Sequence, residues 1–180
     1  MDKHVFLVGF MGSGKTHWGS VLAEHLGWPF LDLDAFIEEG EGRSVSEIFY
    51  AEGETVFRVL EREYLRRLAA LPPSVVATGG GAPCFSDNMA WMKRHGTTIY
   101  LKTSPSVLSS RLQHEKEKRP LLKGVEESAL TAEIERRLAP REPFYGQAEI
   151  VLEFTDDEPL VLEKLTTAVR NGRFKNTRFY

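Results

Sequence analysis

Short apolar runs alternate along the chain with segments in which apolar residues recur at helical spacing. The first run, at residues 4–8 (HVFLV), stops at Gly9 as a buried strand would. Between Lys15 and Leu26 the apolar residues instead recur at helical spacing, and Gly27 follows as a stop. The pattern predicts five strands, at residues 4–8, 30–32, 75–78, 98–101 and 149–154. Such alternation predicts a parallel sheet covered by helices on both faces, a three-layer α/β/α domain.

Two of the predicted helices carry recognisable start signals. Ser44 and Glu47 have the spacing of a capping box, which opens a short helix before a longer one. Ser104 followed by Pro105 is an N-cap with proline at the first helical position. A last helix is expected at about residues 159–170. Because parallel sheets bind ligands beyond the carboxyl ends of their strands, functional residues are expected at those ends.

Composition narrows the class of protein. A chain of 180 residues suits one domain, and 42% hydrophobic and 27% charged residues are ordinary for a globular protein. The net charge of −3 argues against a nucleic-acid binder. Cys84 is the only cysteine, which excludes a disulfide framework and fits a reducing compartment. No run approaches the ~18 apolar residues of a membrane span, and the start of the chain lacks a secretion signal. We therefore expect a cytoplasmic protein that acts on neither nucleic acid nor membrane.

The strongest chemical signal directly follows the first predicted strand. Residues 9–16 (GFMGSGKT) match G-x-x-x-x-G-K-[ST] and stand between a predicted strand and a predicted helix. The glycines let backbone N–H groups converge on phosphate oxygens, and the helix N-terminus adds partial positive charge. The lysine could reach the terminal phosphates, and the threonine hydroxyl could bind Mg²⁺. The motif predicts a nucleoside triphosphate site made by Gly12, Ser13, Gly14, Lys15 and Thr16.

The fate of the nucleotide depends on residues outside this loop. The Asn-Lys-x-Asp motif of GTPases is absent, and the third strand ends in Thr78 and three glycines rather than in an acid that could hold magnesium. We therefore interpret Asp32 as the Mg²⁺ partner, through a water molecule. Asp34 would orient an acceptor hydroxyl or take its proton. Alternatively, Asp34 merely caps a helix that begins at Ala35.

Two arginines and a glycine triplet are weaker signals. Arg58 lies on the flank of a helix, from where its side chain can lean over a cleft. By themselves, Arg58 and Arg141 would more often be solvated or salt-bridged arginines. The glycines at 79–81 follow a strand directly and would let backbone approach a ligand closely, although a tight turn without a ligand has the same signature.

The segment at 112–126 is polar, charged and interrupted by Pro120 and Gly124. It could be a mobile lid that carries Arg119 over the phosphates, or simply a solvated loop. Other chemistries lack support: the five histidines show no metal-ligand spacing, and no Gly-x-Ser-x-Gly sequence is present. Cys84 is expected to be a buried or half-buried thiol.

Together these elements resemble the shikimate kinase family, in the same order and over nearly the whole chain, from about residue 4 to residue 170. The matching elements are the loop at 9–16, Asp32 with Asp34, Glu54 with Phe57 and Arg58, the glycines at 79–81, residues 119–122 (RPLL), and Arg141 with Pro143 and Tyr145. The resemblance implies a P-loop kinase with a mobile lid and a five-stranded parallel sheet of order 2-3-1-4-5. It also implies transfer of the γ-phosphoryl of ATP to the 3-hydroxyl of shikimate, a step toward chorismate and the aromatic amino acids.

The resemblance implies a role for each matching residue. The catalytic residues would be Lys15, Asp34 and Arg119. The residues that bind shikimate would be Asp34, Arg58, Gly79, Gly80, Gly81 and Arg141, with the two arginines on its carboxylate. ATP would contact the phosphate loop together with Arg111, Arg119 and Pro159. Mg²⁺ would be held by Thr16 and Asp32.

The resemblance further implies a single domain at residues 1–172, with a substrate-binding region at about 33–61 and a lid at about 112–126. A basic tail at 173–180 has no family role. The protein is expected to be a monomer whose partners are the two small-molecule substrates.

Two alternatives remain at this point. Another small-molecule kinase of the same architecture, for gluconate or a nucleoside monophosphate, would carry other acceptor residues in place of Asp34, Arg58 and Arg141. A nucleotide-binding regulatory protein without turnover would usually have lost the phosphate lysine or the acceptor acid, whereas Lys15, Asp34 and Arg119 are all present.

Overall fold

The alternating pattern produces the strands and helices that it predicts. A computed structural model describes residues 4–114, 121–122, 124–153, 158–171 and 177–179, with backbone only at 158–159, 170–171 and 177–179. The strands within these residues are β1 (His4–Val8), β2 (Phe30–Asp32), β3 (Val75–Ala77), β4 (Gly96–Lys102), β5 (Ile150–Glu153) and β6 (Thr177–Phe179). The helices are α1 (Lys15–Leu26), α2 (Leu33–Glu41), α3 (Val45–Arg67), α4 (Asn88–His95), α5 (Pro105–Leu112), α6 (Leu130–Leu138), α7 (Glu142–Tyr145) and α8 (Glu158–Asn171).

All neighbouring strands of the sheet are parallel, in the order β2-β3-β1-β4-β5-β6. The order 2-3-1-4-5 predicted for the first five strands is confirmed. The sixth strand was not predicted: it lies within the basic tail at 173–180 and pairs with β5 at the sheet edge, where Thr177 is opposite Ile150. A segment of three residues with an arginine at its centre gives no apolar run, so only pairing with β5 reveals it.

Successive residues of the central strand β1 face opposite layers of the domain. Phe6 and Val8 point into a core shared with α2 to α7, whereas Val5 and Leu7 point into a smaller core under α1 and α8. A strand buried on both faces reads as a continuous apolar run, which is why HVFLV predicts it so clearly. The three-layer α/β/α architecture follows from this double burial.

Helix ends follow the predicted signals. Ser44 and Glu47 form the capping box: the Glu47 N–H donates to Ser44 Oγ at 3.2 Å, and the Ser44 N–H donates to Glu47 Oε2 at 2.7 Å. The short helix and the longer helix that follow are joined in α3 by a kink at Gly53, whose φ of 85° is not helical. In the described part of the chain, no helix has the length and apolarity needed to span a membrane.

Candidate active site

The phosphate loop connects the end of β1 to the start of α1. Gly14 precedes α1 with φ 89°, in the left-handed region that favours glycine, and α1 has no side-chain cap. A Cβ on Gly14 would lie 3.0 Å from Trp18 Cδ1, so this buried ring packs closely against the loop. Backbone N–H groups at an uncapped helix start, together with the helix dipole, form an anion site.

Lys15 is folded back over this loop. Its Nζ donates to the carbonyl oxygens of Gly9 at 2.9 Å and Phe10 at 2.8 Å, and the residue is 8% exposed. These bonds hold an ammonium group at the wall of the cleft beside the loop, where a phosphate group would meet it.

Asp32 joins the phosphate loop to the start of α2. Its Oδ2 accepts a hydrogen bond from Thr16 Oγ1 at 2.8 Å, and its Oδ1 accepts from the N–H groups of Asp34 at 3.0 Å and Ala35 at 3.4 Å. Asp32 is therefore the N-cap, and α2 begins at Leu33. The alternative in which Asp34 caps a helix starting at Ala35 is wrong, because the helix starts two residues earlier.

A cavity of about 460 Å³ opens beside the loop. Arg111 reaches it from α5, where its Nη1 donates to the carbonyl oxygen of Gly12 at 3.3 Å. The predicted phosphate, metal and acceptor residues share this cavity: Gly12, Gly14, Lys15, Thr16, Asp32, Asp34, Gly79, Gly80 and Arg111 line it. Ser13 is fully buried behind the loop instead.

Arg58 lies beside this cavity, and two carboxylates bind its guanidinium. Its Nη1 donates to Glu61 Oε2 at 2.7 Å and its Nη2 to Glu54 Oε1 at 3.0 Å. Its guanidinium also lies over the ring of Phe57, with Cζ 5.2 Å from the centroid. Burial by itself would lower the pKa of Arg58, but the two carboxylates raise it above its ordinary value. The predicted cleft arginine is thus a cation fixed in one orientation.

Glu61 is a residue of this site that sequence reasoning missed. It is completely buried, and burial raises the pKa of its carboxyl to about 7, against the lowering effect of Arg58. Its Oε1 has no hydrogen-bond partner among the described residues. An arginine with glutamates four residues before it and three residues after it normally indicates an exposed helix face. Spacing alone therefore could not reveal that this pair is buried.

The glycine triplet lies against these charged side chains. A Cβ on Gly81 would collide with the guanidinium of Arg58, and one on Gly79 would collide with Glu61 and lie 2.9 Å from Asp34 Oδ1. The absence of side chains is what lets the turn approach the carboxylates and the arginine. The sequence left open whether these glycines form a ligand-binding turn or a plain tight turn. In the structure the turn packs directly on candidate site residues.

Arg141 approaches the same turn from the N-terminus of α7. Its Cζ lies 5.4 Å from the ring centroid of Phe10, and its Nη1 would be 3.7 Å from a Cβ on Gly80. Arg141 and Arg58 are 83 positions apart in the sequence, yet both line one smaller cavity of about 100 Å³. The apolar part of its wall consists of Met11, Val45, Phe49, Phe57 and Leu121.

The two cavities share a wall. Asp34 lines both, as do Met11, Gly79 and Gly80. A ligand on the phosphate loop and a ligand beside the two arginines would consequently meet at the Asp34 carboxylate. This is the arrangement in which one bound group could be passed to the other.

Two predicted site residues lie wholly or partly outside what the structure describes. Arg119 is one of them, and of Pro159 only the backbone is described, in the first turn of α8. Of the segment predicted as a lid, Leu122 is buried in the larger core and Leu121 reaches the smaller cavity. Its opening and closing stays a prediction.

Two further observations concern the thiol and clusters of metal-ligating side chains. Cys84 is half-buried as expected, and burial raises the pKa of its thiol to about 11, which makes it a poor nucleophile. Over the described ranges there is no group of three or more His, Cys, Asp or Glu side chains that could hold a metal ion.

Comparison with known proteins identifies the family. Residues 11–170 match the family model for shikimate kinase. The chain is 44% identical over 173 residues to a shikimate kinase of Parabacteroides distasonis, covering 96% of this chain and 98% of that protein. It is 46% identical over 147 residues to one of Bacteroides fragilis, covering 82% of each chain.

Solved structures agree with the sequence matches. A shikimate kinase from Bacteroides thetaiotaomicron superposes with a TM-score of 0.84 at 40% identity, over 94% of this chain and 97% of that one. One from Acinetobacter baumannii in complex with shikimate gives a TM-score of 0.88 at 33% identity, over 97% of both chains. A gluconokinase from Sinorhizobium meliloti, at 16% identity and a TM-score of 0.61, shares only the fold. The chain belongs to the shikimate kinase family.

Proposed function

We propose that this chain transfers the γ-phosphoryl group of ATP to the 3-hydroxyl of shikimate, giving ADP and shikimate 3-phosphate. The observation that carries the proposal is the shared wall of the two cavities at Asp34. One cavity has the backbone and lysine that a triphosphate needs, and the other has two arginines suited to a carboxylate. A solved relative contains shikimate itself.

On the nucleotide side, the phosphates would lie on the N–H groups of the loop. Lys15 would neutralise charge on the γ-phosphoryl group as it moves, assisted by Arg119. Arg111 lies where it can contact the rest of the nucleotide, and Pro159 would lie on the opposite side of the base. Because phosphoryl transfer needs positioning and charge neutralisation above all, these groups account for most of the chemistry on this side.

Magnesium fits the residues at the edge of this cavity. Thr16 Oγ1 and Asp32 Oδ2 are hard oxygen donors 2.8 Å apart beside the phosphate loop, and Mg²⁺ usually takes few protein ligands together with water and phosphate oxygens. When bound, the ion would neutralise phosphate charge. Thr16 would hold it directly, and Asp32 would hold it through a water molecule.

On the shikimate side, Arg58 and Arg141 would bind the carboxylate, with backbone N–H groups of the turn at 79–81. The ring hydroxyls would then face Asp34. The 3-hydroxyl oxygen forms a bond to the γ-phosphorus, the bond from that phosphorus to the β–γ bridging oxygen breaks, and the hydroxyl proton passes to the Asp34 carboxylate. Closure of the segment at 112–126 would exclude water, which otherwise competes as acceptor.

A coupled assay of ADP release tests this function against its alternatives. We expect ADP release with ATP, Mg²⁺ and shikimate, and only background release with gluconate, with nucleoside monophosphates or without an acceptor. Turnover of gluconate or a nucleoside monophosphate in preference to shikimate would replace the proposal with a related kinase. Nucleotide binding without turnover of any acceptor would favour a regulatory protein.

A further inference from the structure

Tyr145 is a buried residue that the proposed chemistry does not use. It ends the short helix α7, and its backbone N–H donates to the carbonyl oxygen of Arg141 at 3.1 Å. It is completely buried, with its ring centroid 5.1 Å from that of Tyr100. One turn of helix therefore carries both a substrate arginine and a fixed aromatic ring.

The hydroxyl of Tyr145 joins two separate parts of the candidate site. It donates a hydrogen bond to the carbonyl oxygen of Gly80, which is 65 positions away in the sequence. Burial raises the pKa of Tyr145, whereas the positive charge of Arg141 opposes that rise. The hydroxyl therefore binds the glycine turn directly and lies near the charge of Arg141.

The direction of the hydrogen bond to Gly80 is fixed by its chemistry. A phenol has one hydrogen to donate, and a carbonyl oxygen can only accept. Because the hydrogen of Tyr145 is used on the Gly80 carbonyl, the lone pairs of the phenol oxygen remain to face the positive charge of Arg141. The Arg141 guanidinium itself lies at the same turn, where its Nη1 would be 3.7 Å from a Cβ on Gly80.

The Tyr145 hydroxyl acts on the turn directly and on Arg141 through charge. The carbonyl of Gly80 and the N–H of Gly81 belong to one planar trans peptide unit, so fixing the oxygen also fixes the N–H on the opposite side. The oxygen of the same hydroxyl attracts the guanidinium of Arg141, whose side chain is only partly buried. Gly80, Gly81 and Arg141 all line the smaller cavity.

We propose that the Tyr145 hydroxyl is a positioning group for carboxylate recognition, which fixes the Gly80 peptide beside the Arg141 guanidinium. The inference rests on the proposed function, since it assigns the carboxylate of shikimate to this cavity. Tyr145 acts through its two neighbours and does not touch the substrate.

The test compares Tyr145→Phe with Tyr100→Phe. Tyr100 is a matched control because its ring packs on Tyr145 and is also buried, but its hydroxyl donates to Glu142 at 2.8 Å instead of to the turn. Each variant is assayed with shikimate and with its carboxamide, in which the carboxylate charge is removed. Because both substrates are measured on one preparation, the ratio of their kcat/KM values does not depend on how much of the protein is folded.

Wild type should prefer the acid strongly over the carboxamide. Tyr145→Phe should lower that preference by about tenfold, the scale of one hydrogen bond to a charged group. It should raise the KM for shikimate, with kcat and the KM for ATP within about twofold of wild type. Tyr100→Phe should keep the wild-type preference.

Two results would overturn the inference. One is a wild-type acid preference retained in Tyr145→Phe, and the other is an equal loss of that preference in both variants. Absence of shikimate turnover by wild type would instead refute the proposed function, so the two failures can be told apart.

Discussion

The two cavities of the cleft are built in different ways. The larger one depends mainly on a single loop between β1 and α1, whose backbone and Lys15 are local in sequence. The smaller one is assembled from α3, the turn at 79–81 and α7, and its Arg58 is held by the buried Glu61 and the half-exposed Glu54. A phosphate site can thus be encoded by one motif, whereas the acid site depends on tertiary packing. Variants that affect one cavity and spare the other test this division.

Asp34 lies where the two cavities meet, so its replacement should have the largest effect. In Asp34→Asn the side chain keeps its shape but cannot take a proton, and we expect kcat to fall by about 10²- to 10⁴-fold. ATP affinity should be close to wild type, because the loop that holds the phosphates is intact. Turnover assays and nucleotide titration measure the two quantities, and near-normal kcat would remove Asp34 as base or orienting group.

Glu61 lines only the smaller of the two cavities. Its contribution to the free energy of unfolding should depend on pH. With a folded pKa of about 7 against about 4.5 in the unfolded chain, the folded state keeps a proton that the unfolded state has lost. The free energy of unfolding contributed by this group therefore falls as pH rises from 4.5 to 7, by about 2 to 3 kcal/mol. Glu61→Gln should lack this decrease and gain stability relative to wild type across that range.

Denaturant unfolding at several pH values checks this expectation. Glu54→Gln is the matched control, because Glu54 binds the same arginine but is half-exposed. Its stability curve should run parallel to that of wild type. If the Glu61→Gln curve were also parallel to wild type, the buried carboxyl would not hold its proton near neutrality.

Replacing Arg58 should weaken the binding of shikimate and leave the binding of ATP unchanged. Arg58→Lys keeps the charge but removes the planar fork that can bind a carboxylate with two parallel bonds, so the KM for shikimate should rise about tenfold or more. Arg62→Lys, on the same helix but half-exposed and paired with Asp87, should leave both KM values unchanged. An equal rise of the KM for ATP in Arg58→Lys would contradict the separation of the two cavities.

The smallest expected effect separates two adjacent glycines. Gly81→Ala adds a methyl group against the Arg58 guanidinium without backbone strain, since φ is −93° there, and should raise the KM for shikimate several-fold. In Gly80→Ala the methyl group would meet its neighbours at 3.4 Å or more, an ordinary contact, so the KM should change less. Equal effects of the two substitutions would show that Arg58 is not constrained by the turn.

Particular residues show how far the sequence alone could lead. The first five strands, the capping box and the phosphate loop were predicted, because each depends on an apolar run or on a local motif. The sheet order was predicted from the family resemblance. The N-cap role of Asp32 was missed, since Asp32 and Asp34 are equally good caps and packing decides where α2 begins. The burial of Glu61 and the contacts of Tyr145 were missed because they depend on elements distant in the chain.

A structure with ADP and shikimate bound together tests the central claim most directly, that two unlike anions meet at Asp34. The account predicts the diphosphate on the loop at 9–16, the shikimate carboxylate within hydrogen-bond distance of both Arg58 and Arg141, and a ring hydroxyl at the Asp34 carboxylate. Shikimate bound elsewhere, or bound in the smaller cavity with both guanidinium groups turned away from its carboxylate, would contradict it.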